Sequence, residues 1–145
     1  MADDESSGNL SDIIESFLAA AREHAERVYF TQLDFTERSI VDVELILSRM
    51  SESIPRSTFQ KLFKKRPSPE QIAHIAMIYG IYLGEVLRRK LGGEWQLESV
   101  DGQKTIGLLL ARGETIYPAS QTFRRLMSGA AESVEKFFAS ISEQR

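Results

Sequence analysis

The segment SPEQIAHIAMIYGIYLGEVLRRKLGG, residues 68–93, constrains this chain more than any other. Ser68 is a helix cap, and Pro69 sits at the first helical position, where its missing amide costs nothing. Gly92 and Gly93 supply a stop, because glycine tolerates the positive φ of a helix end. The spacing therefore predicts a helix over 69–91. Before it the apolar residues recur with a helical period; after it the period changes to two. A long helix that joins a helical half to a strand half becomes the central strut of the molecule.

That helix carries two glycines in its interior, Gly80 and Gly84. Each costs about 0.8–1 kcal/mol relative to alanine. With Ala73 and Ala76 they form a stripe of small residues, beside a main apolar stripe of Ile72, Ile75, Tyr79, Leu83 and Val86. The expected return is close approach of another element to the helix backbone. The other use of such a stripe, a seam between two copies of the helix, is chiefly a membrane device. A third face mixes His74, Ile78, Ile81, Glu85 and Arg88 and is expected to be half covered.

Glu85 stands within the apolar run, with Arg88 and Arg89 three and four residues on. Three readings are open: a solvated helical ion pair, a buried structural salt bridge, or a partly buried carboxylate held by arginine at a cleft. The last would draw in Tyr82 and Trp95. Tyr82, Glu85, Arg88, Arg89 and Trp95 are therefore the candidate binding residues.

Elsewhere the chain punctuates itself clearly. Residues 1–9 are polar and acidic and read as a disordered tail, leaving 10–145 as a single domain. Ser11 or Asp12 caps a first helix with apolar positions Ile13, Phe17, Ala20, Ala21, Ala25 and Val28. Phe30 to Phe35 is a connection. Thr36 caps a second helix, with Ile40, Val43, Leu47 and Met50 on one face and Val41, Leu45 and Ile46 beside it, ending near Ser51. Residues 53–69 are interrupted by Pro55, Pro67 and Pro69, with a short helix expected around Phe59, Leu62 and Phe63.

Beyond Gly93, Trp95 and Leu97 alternate with polar residues, and Asp101-Gly102 is the signature of a tight hairpin turn. Ile106, Leu108 and Leu110 share one side of the next strand. Arg112-Gly113 turns again into Thr115-Ile116-Tyr117, closed by Pro118. Two short helices, Ser120 to Met127 and Ala131 to Ser142, finish the chain. A meander has one face to bury and the helices have stripes to match. The expected fold is α+β, a three-stranded antiparallel meander with helices packed on one face.

One longer-range pattern extends this reading. YGIYLGEVLRRKLGGEW, preceded by LDFTERSIVDVELIL and followed by YPASQTFRRLMSGAAESVEKFF, resembles a family of small bacterial proteins of unknown function. The shared pattern is an aromatic-Gly-x-Tyr-Leu-Gly-Glu helix, then Gly-Gly-x-Trp, a strand and a Tyr-Pro step, over residues 33 to 138. The resemblance implies a module with no assigned catalytic residue.

Composition narrows the function classes. The 145 residues contain no cysteine, which excludes disulfides, thiolate catalysis and cysteine metal sites. The acidic start is not read as a secretory signal, and no apolar run spans a bilayer, so a cytoplasmic location without membrane contact is the expectation. A net charge of −3 gives no global field favouring nucleic acid. His24 and His74 are the only histidines, each set in an apolar helix, and none of the phosphate-loop, dinucleotide, zinc-protease or nucleophile-elbow motifs occurs. Gly80 and Gly84 lie within a helix, so their amides are already bonded and cannot cradle phosphate.

Catalytic residues, metal and cofactor are therefore expected to be none. The reading is a non-catalytic protein-interaction or small-ligand-binding module, monomer or homodimer. The alternative is anion or nucleic-acid binding through the basic segment 56–66, where Arg56, Lys61, Lys64, Lys65 and Arg66 interleave with Phe59 and Phe63.

Overall fold

The computed structural model describes residues 2–54 and 67–143, with side chains from residue 9 onward. In chain order they form α1 (Ala2–Tyr29), α2 (Ser39–Ser53), α3 (Pro69–Leu91), β1 (Gly93–Val100), β2 (Gln103–Leu110), β3 (Thr115–Ile116), α4 (Pro118–Ser128), a 3-10 turn (Ala130–Glu132) and α5 (Val134–Glu143). The fold is α+β, with the antiparallel sheet in the order β1-β2-β3.

Helix α3 has the bounds its caps predict. The Ser68 hydroxyl accepts from the Gln71 amide, and the Gln71 side chain accepts from the Ser68 amide, a complete capping box. At the far end the Gly92 amide donates to the Arg88 carbonyl, and Gly92 has φ +77°. From Ala76 to Leu87 every residue except Met77 is buried. The third face is covered only through its middle: Ile78, Ile81 and Glu85 are buried, whereas His74 at one end is exposed and Arg88 at the other is half-exposed. α1 lies along one side of this helix and α4 along another, while the sheet closes the C-terminal half.

The small-residue stripe is where α4 and the sheet press closest. A Cβ on Gly80 would lie 2.7 Å from the Ala119 backbone nitrogen, and one on Gly84 would lie 2.9 Å from Pro118 Cγ and collide with the Trp95 ring. Ala76, Gly80 and Gly84 are thus buried inside the molecule, while Ala73 at the start of the stripe is exposed. Thr122, fully buried on α4, donates to the Ala76 carbonyl at 2.5 Å and fixes this crossing.

The β1–β2 hairpin turns at Asp101 (φ +52°) and Gly102 (φ +79°), two consecutive positive φ angles as a primed turn requires. The register sets Trp95 against Leu108 and Leu97 against Ile106, and β3 sets Ile116 against Leu108. Those side chains share the helix-facing side, and Ile106, Leu108, Leu110 and Ile116 are buried. On the opposite side the Tyr117 hydroxyl reaches Glu98 at 2.5 Å.

Several expected boundaries and faces shift. α1 begins at Ala2, over the segment read as a disordered tail and ahead of the caps expected at Ser11 or Asp12. No proline interrupts residues 2–12, and a helix extends more easily than it starts. Its buried stripe is Ile14, Leu18, Ala21 and Ala25, while Ile13 and Val28 face solvent. α2 starts at Ser39, three residues after Thr36; the Thr36 hydroxyl accepts from the Ser39 amide at 3.3 Å, as a cap would, while donating to Asp34 in the preceding turn. On α4 the packed residues are Gln121, Thr122, Arg125 and Leu126, whereas Phe123 and Met127 are exposed.

Arg125 explains part of that preference. Its Nε donates to Glu44 on α2 at 2.6 Å, and the other Glu44 oxygen accepts the Val134 amide at the start of α5. One carboxylate thus joins three helices, with the Arg125 side chain 4% exposed. The short helix expected around Phe59 lies outside the described residues.

Candidate functional site

The site is built around Glu85. Its burial follows from the fold: α3 is sheathed on all sides at this level, and Glu85 is 4% exposed. Arg88 Nε and Nη2 donate to its two oxygens at 2.8 and 2.9 Å, a bidentate grip. Arg89 Nε donates at 3.0 Å, and the Trp95 indole N–H donates from β1 at 3.1 Å. Four donors converge on one carboxylate. The solvated helical pair is therefore not what forms; Glu85 is the buried partner of two half-exposed arginines.

The electrostatic consequence is definite. Burial alone would raise the Glu85 pKa. The hydrogen bonds from Arg88, Trp95 and Arg89, with the Arg88 charge, more than reverse this and hold it at about 2. Glu85 is ionised and fully occupied at neutral pH. It has neither the proton for general-acid work nor the free lone pairs for general-base work. Its role is to orient what surrounds it.

Arg89 extends the cluster away from the sheet. Its guanidinium carbon lies 3.8 Å from the centroid of the Phe35 ring, and that of Arg22 lies 5.3 Å from the same ring. Phe35 is held in the left-handed region, φ +64°, with its amide donating to the Tyr82 hydroxyl at 2.8 Å. Ser39 Oγ donates to the Thr36 carbonyl, so the Tyr82 hydroxyl, 2.7 Å away, donates to Ser39. Tyr82 itself is wholly buried and does not line a cleft. Of the five candidate residues, Glu85, Arg88, Arg89 and Trp95 meet directly, and Tyr82 touches them only through Phe35.

A cavity of about 540 Å³ opens over this cluster. Leu10, Ile14 and Leu18 of α1 form its apolar wall, and Arg88, Arg89 and Trp95 form its polar side. Glu15 and Glu94 stand at its edge, both exposed. Sequence reasoning missed the α1 wall. The 14, 18 spacing was available, but the neighbouring apolar Ile13 and Phe17 carried the same period.

A second cavity, about 460 Å³ and more apolar, lies between α2 and α3, lined by Met50, Ile54, Ile72, Ile75 and Leu126 among others. Ile54 and Pro67 on its wall flank residues 55–66, which lie outside the described residues, as does the basic cluster from Arg56 to Arg66.

His24 Nδ1 lies 2.7 Å from the buried Tyr79 hydroxyl, and His74 is exposed. Among the described residues no group of histidine and carboxylate side chains could hold a metal ion, and no helix is long and apolar enough to cross a membrane. Comparison of the chain with family models, with curated proteins and with solved structures gave no match.

Proposed function

We propose that the protein is a non-catalytic binding module whose cavity between α1, α3 and β1 takes a small amphipathic ligand. The observation that carries this reading is the saturation of Glu85. The only buried carboxylate in the cavity is spent on holding Arg88, Arg89 and Trp95 in place. What remains for a ligand is donor capacity: the guanidinium N–H groups that do not bond Glu85.

The chemistry of the lining narrows the ligand. Leu10, Ile14 and Leu18 favour an apolar body, while the arginines favour an acceptor at one end. Three carboxylates, Glu15, Glu85 and Glu94, face two guanidiniums, which disfavours a multiply charged anion such as a phosphate chain. A single carboxylate or carbonyl head on an apolar chain fits both requirements.

Trp95 makes the test direct, because it is the only tryptophan in the chain. Titration with decanoate should change its emission saturably. Arg89→Ala, which leaves the bidentate Arg88–Glu85 pair intact, should weaken that binding at least tenfold. No saturable change up to millimolar decanoate, or equal binding by the variant, would refute the reading.

A further inference from the structure

We infer that the outer face of α2, with Phe30 beside it, is a self-complementary surface on which two copies of this chain associate about a two-fold axis. The inner face of α2 is committed to the core through Ile40, Val43, Ile46 and Leu47. Its outer face presents Val41 and Leu45, 44% and 54% exposed. The C-terminal end of α1 adds Val28 and Phe30, the latter 91% exposed. Phe30 also holds φ +53° where the helix ends, a conformation that glycine adopts far more readily. Within the chain, an aromatic ring at that position gains nothing for its strain.

Tyr29 and Thr31, the neighbours of Phe30, line a shallow hollow of about 130 Å³ with Asp42, Leu45, Ile46 and Arg49. The hollow thus borders the stretch of backbone that carries the exposed Phe30 ring. In an isologous pair each ring lies over the partner's helix while its own hollow receives the partner.

The charges say which partner. Along the outer face, Arg38, Asp42, Leu45, Arg49 and Glu52 follow at alternating steps of four and three, the spacing of a heptad seam. Laid antiparallel on itself about Leu45, the series sets Arg38 against Glu52, Asp42 against Arg49 and Leu45 against Leu45. Every charge meets its opposite. A uniformly acidic or basic partner would meet half of them with the wrong sign.

Within one copy Arg38 lies near Asp34 and one turn from Asp42, and Arg49 lies one turn from Glu52, yet none of these is drawn into contact. Asp42 and Arg49 are two helical turns apart, about 10 Å along the axis. None of Arg38, Asp42, Arg49 and Glu52 forms an ion pair with a described residue. The apolar area is small, so association depends on concentration, and its ion pairs make it weaker in salt.

The test is sedimentation equilibrium of the full chain at low salt. The unaltered chain should dimerise. Asp42→Arg alone and Arg49→Asp alone should each weaken the dimer at least tenfold, because each sets like charges across the axis twice. Mixed in equal amounts, the two variants should associate with each other, since every clash then becomes an opposite-sign pair. A monomeric unaltered chain would overturn the inference. So would single variants that dimerise normally, or a mixture that stays monomeric.

Discussion

Replacing Glu85 with glutamine probes the centre of the molecule with almost no change of shape. The side chain keeps its length but loses its charge, and one oxygen becomes a donor aimed at donors. The magnitude follows from the carboxyl pKa. A carboxyl held at about 2 in the fold, against 4.5 when unperturbed, contributes on the order of 3 kcal/mol. The Arg88 and Arg89 side chains are 38% and 49% exposed, so solvent screens part of this. A loss of about 2 kcal/mol is expected.

Urea unfolding followed by Trp95 emission and by far-ultraviolet dichroism measures it. The pH dependence is diagnostic. Because the folded pKa lies below the unfolded one, the Glu85 contribution is complete above about 4.5 and disappears as pH falls toward about 2. The glutamine variant should lack that part of the acid sensitivity while losing stability at pH 7. A variant within 0.5 kcal/mol (roughly the scatter of neutral surface changes) and with unchanged acid sensitivity would refute the reasoning.

Two further outcomes rest on other parts of the fold. Phe30→Gly should stabilise the isolated chain by about 1 kcal/mol, since it relieves a left-handed aromatic residue that is 91% exposed; denaturation at low protein concentration would show this as a raised midpoint. Arg125→Met should destabilise by about 3 kcal/mol, because Glu44 then remains under the α4–α5 junction without its cation; a thermal midpoint lowered by less than a degree would contradict this.

The parts legible in the sequence were those written locally. The bounds of α3 follow from Ser68-Pro69 and Gly92-Gly93, and the hairpin follows from Asp101-Gly102, because caps and turns are decided by neighbouring residues. Close approach to Gly80 and Gly84 was also legible, since two interior glycines in a buried helix need a reason. What touches them was not: Ala119 and Trp95 arrive from elements that follow in the chain.

The arginines at three and four residues from Glu85 were readable from helical geometry. The indole on β1, and the burial that separates a held carboxylate from a wet ion pair, depend on tertiary packing. The facing of α1 was misread because apolar residues occupy positions 13, 14, 17 and 18 alike, so periodicity alone does not choose between two adjacent stripes. On α4 the aromatic and thioether residues point outward while Thr122 and Arg125 point inward. Hydrophobicity ranks these in the wrong order because the inner partners are a carbonyl and a carboxylate.

The all-round enclosure of α3 has a consequence for how the molecule opens. Its middle residues, 78–87, are all buried while the surrounding helices and sheet remain docked, and only Glu85 among them borders the cavity beneath α1. Peeling off any one neighbour leaves the others in place. The amides of these middle residues therefore exchange with solvent only when the entire chain unravels, and α3 serves as the last part to be released and a clock for the global event.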